Sequence, residues 1–459
     1  MAATVVDPQL ILKLARPGPR YTSYPTVPVW TTSVDSDVYR ERLAAADVLD
    51  RPLSLYFHVP FCRERCHYCG CNVVITGRQE KADRYIDYLI REVDMALELM
   101  PNRRRVDQIH LGGGTPTFLD EPQLLRLLAA IDERFNLVSD AELALEVDPR
   151  VTTREQLALL RGFGFNRLSI GVQDFTPEVQ RAVGRVQEVE LTEALYDYAR
   201  HLGYSGVNFD LIYGLPLQEE TAYRKTVETV LRLRPDRVAM FSYAHVPWIH
   251  PQQKRYDAEP RPGPLDKIAL FLQARQQFFE AGYVAIGMDH FALPSDELAV
   301  ARMQGRLYRN FQGYTPRETG DTIAFGASAI SDVADSYTQS IKPLSAYYQS
   351  LDAGRFPIER GWLLTAEDLL RRETIQQLMC NFTADLEALA ARHGCSAEQA
   401  FSAQLQPLDE LEALGLIKRD GWQIEVREIG QILVRNVAMV FDAHLSSAPP
   451  ERPTFSQTV

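Results

Sequence analysis

Short runs of alternating apolar and polar residues recur along the first half of the chain, each followed by a longer amphipathic stretch. The runs are SLYFHV from Ser54, VDQIHL from Val106, ELALEV from Glu142, RLSIGV from Arg167, VNFDLI from Val207 and RVAMFS from Arg237. A period of two predicts strands, and the 3.6-residue period of DRYIDYLIREVDMALEL and PQLLRLLAAIDERF predicts helices between them. About six such units predict an α/β fold with right-handed parallel crossovers, curved into a full or partial barrel. Before them, RPGPRYTSYPTVPVW predicts an extended arm followed by a short helix. From about Thr365 helices prevail: AEDLLRRETIQQLMC, DELEALGL and, after a short strand WQIEV, a last helix GQILVRNVAMVFDAHL. The tail SSAPPERPTFSQTV is expected to be loosely held. These changes divide the chain into an arm (1–50), a barrel with its extension (51–364) and a smaller, mostly helical C-terminal domain (365–459).

The alternation also says which face is which. Leu55, Phe57 and Val59 share one face, and Tyr56 and His58 the other. Ile109 and Leu111 oppose Gln108 and His110; Leu143, Leu145 and Val147 oppose Glu146 and Asp148. Leu168, Ile170 and Val172 oppose Ser169, Gly171 and Gln173, and Phe209 and Leu211 oppose Asn208 and Asp210. A closed barrel of eight strands fills its lumen with branched apolar side chains. Here one face is repeatedly polar, which predicts a wide cavity lined by those residues, with the apolar face under the helices. An open sheet with one solvated face is the alternative.

Charge narrows the partners. The 459 residues carry 49 Lys and Arg against 61 Asp and Glu, a net charge of −12. Such a chain is a poor binder of nucleic acid, and an anionic ligand needs a local basic pocket. No apolar run approaches the ~20 residues that cross a bilayer, and the N-terminus has no secretory pattern, so a reducing cytoplasm is expected.

Four of the six cysteines, Cys62, Cys66, Cys69 and Cys71, form C-x3-C-x2-C-x-C directly after the first strand. Zinc sites usually draw on two separated knuckles, and no second knuckle exists here. A loop this short can hold one edge of a cuboidal iron–sulfur cluster through three thiolates, leaving one iron open. A zinc site and inert buried thiols remain the alternatives. Cys71 could be a catalytic thiol, a support or packing, and Cys380 and Cys395 read as small core residues. LGGGTPTF, with Gly112, Gly113, Gly114 and Thr115, closes the second strand. Glu146, Asp148, Gln173 and Asp210 fall at strand ends on the same rim, where β/α barrels carry their sites. Carboxylates there suit ribose hydroxyls or an ammonium group.

The spacing of Cys62, Cys66 and Cys69 resembles the signature of the radical S-adenosylmethionine (SAM) superfamily, and nearly the whole chain resembles its oxygen-independent coproporphyrinogen III oxidase family. The segments that carry the likeness begin with PRYTSYPT at Pro19, FHVPFCRERCHYCGCN at Phe57, HLGGGTPTFL at His110 and EVDPR at Glu146. They continue with RLSIGVQDF at Arg167, VNFDLIYGLP at Val207, FSYAH at Phe241, GMDHFA at Gly287, RNFQGYT at Arg309, GASAIS at Gly326 and RNVAMVFD at Arg435. Between about Thr383 and Arg427 little is familiar.

The resemblance implies an α/β fold with a partial (β/α)6 TIM-like barrel and a C-terminal helical domain, a [4Fe-4S] cluster on Cys62, Cys66 and Cys69, and two SAM molecules. The SAM at the cluster would meet Tyr56, Tyr68, Gly70, Gly113, Gly114, Thr115 and Glu146. The second would lie near Gln173, Arg185, Asp210, Ala244 and Ile330. Tyr56, Cys71 and Glu146 are the candidates for a direct part in the chemistry. The implied reaction is oxidative decarboxylation of two propionates of coproporphyrinogen III, giving protoporphyrinogen IX in haem synthesis. It calls for an electron donor of flavodoxin or ferredoxin type and an unidentified acceptor, and the family expectation is a monomer. The tetrapyrrole's carboxylates point to Arg20, Arg309 and Arg435, with Tyr21 at the mouth. A haem-carrying relative without decarboxylase activity is the rival; as a group it lacks the RYTSYPT arm and the fourth cysteine, both present here.

Overall fold

The alternating runs fold as strands because one side of each can be sealed under helices. In the computed structural model of the chain, which describes residues 7–318, 320–445 and 455–458, these are β1 (Leu53–Val59), β2 (Arg105–Gly113), β3 (Asn136–Val147), β4 (Arg167–Gln173) and β5 (Gly206–Tyr213). Leu55, Phe57, Ile109, Leu145, Ile170 and Phe209 are all buried. The connecting helices start where the sequence caps them. Asp120 and Gln123 form a capping box at Glu121–Arg134, and Thr153 and Gln156 form another at Arg154–Phe163. Gly164, in left-handed geometry, ends the latter. The chain divides into two compact units, each assembled from separate stretches.

The sheet unit comprises residues 30–211 and 319–363. Strands β1 to β5 pair in parallel, in chain order, with Tyr56 opposite His110, Glu146 opposite Ser169, and Gly171 opposite Asp210. On the other side of β1 lies β6 (Thr322–Phe325), also parallel, followed by an antiparallel run of β7 (Ile330–Asp332), β8 (Ser336–Ser340) and β9 (Ile358–Leu363). Strand β6 escaped the periodicity because all four of its residues are buried, so no alternation marks it.

The helical unit comprises residues 1–29, 212–318 and 364–459. Its strand Arg237–Ser242, the sixth of the predicted runs, pairs antiparallel with His290–Ala292. Its core joins Ile11, Leu14 and Tyr24 with Ile286, Leu298, Leu378, Leu411, Val437 and Phe441. Three expectations are corrected here. A helix, Pro8–Leu14, precedes the extended arm, capped by the Asp7 side chain and opened by Pro8. The expected last helix is broken into Glu428–Ile432, Val434–Ala438 and a 3-10 turn at Met439–Phe441, because Leu433 leaves helical geometry. The end of the tail is held, not loose. The Gly18 N–H donates to the Ser456 carbonyl at 3.0 Å, and the Thr458 N–H to that of Arg16 at 2.8 Å. Extended arm and extended tail satisfy each other's backbone groups. The rest of the tail, 446–454 and 459, lies outside the described residues. WQIEV is the middle strand of a small sheet, between Thr383–Asp385 and Ile417–Asp420. Among the described residues no helix is long and apolar enough to cross a membrane.

Candidate active site

The cysteine loop leaves the sheet at the end of β1. Its base is pinned by a short parallel pair, Phe61–Cys62 with Val74–Ile75. Within it the Cys69 N–H donates to the Cys66 carbonyl at 3.1 Å, and the Cys71 N–H to the Cys69 sulfur at 3.4 Å. The Cys62 sulfur meets the Thr115 hydroxyl at 3.5 Å. Two guanidiniums reach the Cys66 sulfur, Arg150 at 3.5 Å and Arg185 at 3.6 Å, and the Tyr68 hydroxyl bonds to it as well. The hydrogen bond from Cys71 lowers the Cys69 thiol to about 6 against the opposing effect of burial, with Arg65 and Arg185 adding to it. The same bond keeps the proton on Cys71.

Beside the loop, the rim is built from the polar face of the strands. Glu146, at the end of β3, accepts from the Gly113 N–H at 3.1 Å and from His110 at 3.3 Å. Burial pushes its pKa up, but these bonds and the neighbouring histidines outweigh it and hold the carboxylate ionised. His58 is buried and neutral, its pKa lowered chiefly by desolvation. Its Nε2–H donates to the Asn72 carbonyl at 3.3 Å, so its Nδ1 accepts from the Tyr56 hydroxyl at 3.0 Å. Gly113 has φ +119°, and a Cβ there would stand 2.8 Å from the His58 ring. A Cβ on Gly114 would stand 2.7 Å from the Phe61 carbonyl oxygen. These glycines are therefore required by close packing of the rim against itself, whatever ligand it takes.

Farther along the rim, Asp148 is the hub of a buried ion-pair network. It accepts from Arg185 at 2.8 Å and from Arg150 at 2.7 Å, which together overcome its burial and lower its pKa. Arg185 also donates to the Gly171 carbonyl at 2.7 Å. Gln173 sits at φ +67° after an irregularity in the β4–β5 register, which re-aims the strand end. Asp210 accepts from the Ser169 hydroxyl at 2.9 Å and from the Asn208 amide at 2.8 Å. Desolvation still raises its pKa to about 7, helped by Glu146.

The structure therefore brings Tyr56, the four cysteines, Tyr68, Gly113, Thr115, Glu146, Gln173, Arg185 and Asp210 to one rim of the sheet unit. Gly70 is exposed in the same loop, and Ile330 opens β7 of the same sheet. Ala244 belongs to the helical unit, where its carbonyl accepts from Gln253 at 3.3 Å. So do the four residues expected at the substrate. Arg20 pairs with Asp289 and stacks over Phe241, and the Tyr21 hydroxyl donates to Asp442 at 2.9 Å. Arg435 donates to the Gly18 carbonyl at 3.0 Å and to that of Gln457. Arg309 lies over the Tyr314 ring at 4.5 Å. Sequence reasoning left out Arg150 and Ser328. Arg150 stood within EVDPR but off the alternating strand. Ser328, 3.4 Å from His58, stood within GASAIS but in none of the alternating strands.

The donor set of the loop suits an iron–sulfur cluster. Among the described residues no three Cys, His, Asp or Glu side chains converge as for a single metal ion. In a cuboidal cluster each iron takes its own thiolate, so the sulfurs need not converge. Three thiols on one short loop, with guanidinium donors aimed at one sulfur, meet that need and help offset an anionic cluster. The ionised Glu146 beside the loop suits a cationic partner such as an ammonium group.

The chain is similar to known proteins along nearly its whole length. Residues 56–230 match the model of the radical SAM superfamily, and residues 364–432 that of the HemN C-terminal domain. The chain is 43% identical over 439 residues to the oxygen-independent coproporphyrinogen III oxidase of Salmonella typhimurium, covering 96% of this chain and 95% of the relative. It is 40% identical over 455 residues to that of Pseudomonas aeruginosa, covering 99% and 98%. The solved coproporphyrinogen III oxidase (HemN) of Escherichia coli, described as a radical SAM enzyme, superposes with a TM-score of 0.91. That match has 41% identity and covers 96% of this chain and all of that one.

Proposed function

This chain belongs to the oxygen-independent coproporphyrinogen III oxidase family of radical SAM enzymes, and from that premise we propose that it converts two propionates of coproporphyrinogen III into vinyl groups. The observation that carries the reading is the three-thiol loop whose Cys66 sulfur receives two guanidiniums, set beside an ionised Glu146. Cys62, Cys66 and Cys69 would hold the [4Fe-4S] cluster. When bound, cluster and SAM supply one-electron reduction and abstraction of a hydrogen atom from carbon. On the substrate side, each propionate loses one hydrogen atom, one electron and carbon dioxide. A donor of flavodoxin or ferredoxin type and a separate acceptor handle the electrons.

The chain's own residues bind and aim. Glu146, fixed by Gly113 and His110, takes the positive end of a SAM molecule, with Tyr56, Tyr68, Gly70, Gly114 and Thr115 around it. Tyr56 is oriented by neutral His58, so its hydroxyl is held in one direction. Gln173, Arg185 and Asp210, with Ile330, receive the second SAM. Asp210, poised near pH 7, can accept or donate to ribose hydroxyls. Cys71 keeps its proton and supports the Cys69 thiolate. Arg20, Arg309 and Arg435, with Tyr21, meet carboxylates of the tetrapyrrole.

An anaerobic assay of the cluster-reconstituted protein tests this, with reductant, SAM, coproporphyrinogen III and a cell extract as acceptor. Protoporphyrinogen (read as protoporphyrin after oxidation) and 5′-deoxyadenosine should both appear, and both should vanish in Cys66→Ser together with most of the bound iron. Cys71→Ser should keep its iron. Deoxyadenosine without vinyl product would redirect the search to another substrate, and tight haem binding with neither product would favour a haem carrier.

A further inference from the structure

The guanidiniums of the helical unit are not equivalent. Arg435 is tied to backbone carbonyls and Arg20 to Asp289. Arg309 is buried, yet its Nε and Nη1 have no hydrogen-bond partner among the described residues. It packs on Tyr314, on the short hairpin that pairs Tyr308–Arg309 with Tyr314–Thr315. A buried cation with idle donors is costly unless an anion completes it.

Its surroundings deepen the deficit. Arg20, Arg309 and Arg435 all act on one carboxylate, Asp289, and Arg435 also feels Arg20 and Arg309 directly. Lys267 is close enough to feel Arg435; its ammonium donates to the Tyr243 carbonyl at 3.0 Å. His290 adds no charge: its Nδ1–H donates to Asp289 at 2.7 Å, and burial keeps the ring neutral. Tyr213 and Tyr314 stay protonated. The group thus holds a surplus of two positive charges, or three with Lys267 protonated. The chain as a whole carries −12, so this surplus is local.

The chemistry of the reaction decides which carboxylates belong here. A propionate that reacts must give up its charge and depart as carbon dioxide. A surplus of buried cations stabilises the anion relative to that neutral product, and so opposes the step. The same cations are well suited to carboxylates that remain anionic throughout. Of the four carboxylates of the substrate, two remain in the product. We infer that this cluster, centred on Arg309, anchors the propionates that the reaction leaves intact. The inference rests on the proposed substrate. Anchoring the retained groups would let one contact serve both decarboxylations.

The test uses Arg309→Gln and the charge-conserving Arg309→Lys in the cluster-reconstituted enzyme. Protoporphyrin IX carries only the retained propionates, and its dimethyl ester carries no free carboxylate. In anaerobic absorbance titrations, Arg309→Gln should weaken protoporphyrin IX by about tenfold or more, the usual effect of losing a buried charge-assisted contact. The ester should bind both proteins alike, and Arg309→Lys should recover part of the loss. In turnover, Arg309→Gln should raise KM by the same factor for the tetracarboxylate substrate and for the tricarboxylate monovinyl intermediate. Unchanged affinity for protoporphyrin IX in Arg309→Gln would overturn the inference. So would a KM effect on the tetracarboxylate alone, which would place a reacting propionate at Arg309. Wild-type protein that makes no vinyl product would instead remove the proposed substrate itself, so the two failures are distinct.

Discussion

Gly113 shows how tightly the rim is packed against itself. Its positive φ and the 2.8 Å approach of the His58 ring leave no place for a methyl group. Gly113→Ala should therefore destabilise the protein by about 1–3 kcal/mol, read as a lower urea midpoint at unchanged slope. A midpoint equal to wild type would mean that His58 yields freely and is not the fixed support of Tyr56. The glycine run was visible in the sequence, but its cause was not. The neighbour that demands Gly113 lies 55 positions earlier, in β1. The arginines differ in the same way. Nothing in the chain order distinguishes Arg435, bonded to backbone carbonyls, from Arg309, whose donors are idle.

At the scale of elements, the helix Glu80–Leu99 carries a carboxylate on its buried stripe. Glu92 accepts from the Tyr347 hydroxyl at 2.7 Å and from the Gly326 N–H at 2.8 Å, joining this helix to the chain just after β6 and to the helix Leu344–Asp352. Burial raises its pKa to about 7 despite both bonds. A carboxyl whose folded pKa lies above its unfolded value binds its proton more tightly when folded. Stability from Glu92 is thus fully present below about pH 4.5 and declines as pH rises towards 7. Glu92→Gln keeps an acceptor oxygen and removes the titration. It should flatten the fall in unfolding free energy over that interval by roughly 1–3 kcal/mol. Parallel pH profiles for wild type and variant would show that Glu92 is ionised throughout. The strands β1 to β5 and their helices were legible because each has one buried and one polar face. Strand β6 was not, since a fully buried segment loses the alternation on which such reading depends, and the break in the last helix at Leu433 interrupts a stretch whose apolar pattern runs on.

At the scale of the whole molecule, chain order and spatial order part company. Each unit is assembled from separate stretches, and in the helical unit the first described residues pack with the last. Deleting residues 455–459 removes the Ser456 carbonyl from Gly18 and the Gln457 carbonyl from Arg435. Hydrogen exchange at the Gly18 amide should then quicken by about tenfold, with little change at core amides of β1 such as Phe57. Unchanged protection at Gly18 would show that the arm is held without the tail.

The cysteine loop, the alternation of polar positions along β1 to β5 and the family were all legible in the residues alone. These are local patterns, written in spacing and in a period of two. Which guanidiniums meet Cys66, and why Gly113 must be glycine, emerged from the folded arrangement. It alone also showed that the tail is tied to the arm and that Arg309 is left with idle donors. Each of these depends on groups far apart in the chain, and a residue's hydrogen-bond partners and burial are set by what folding brings beside it.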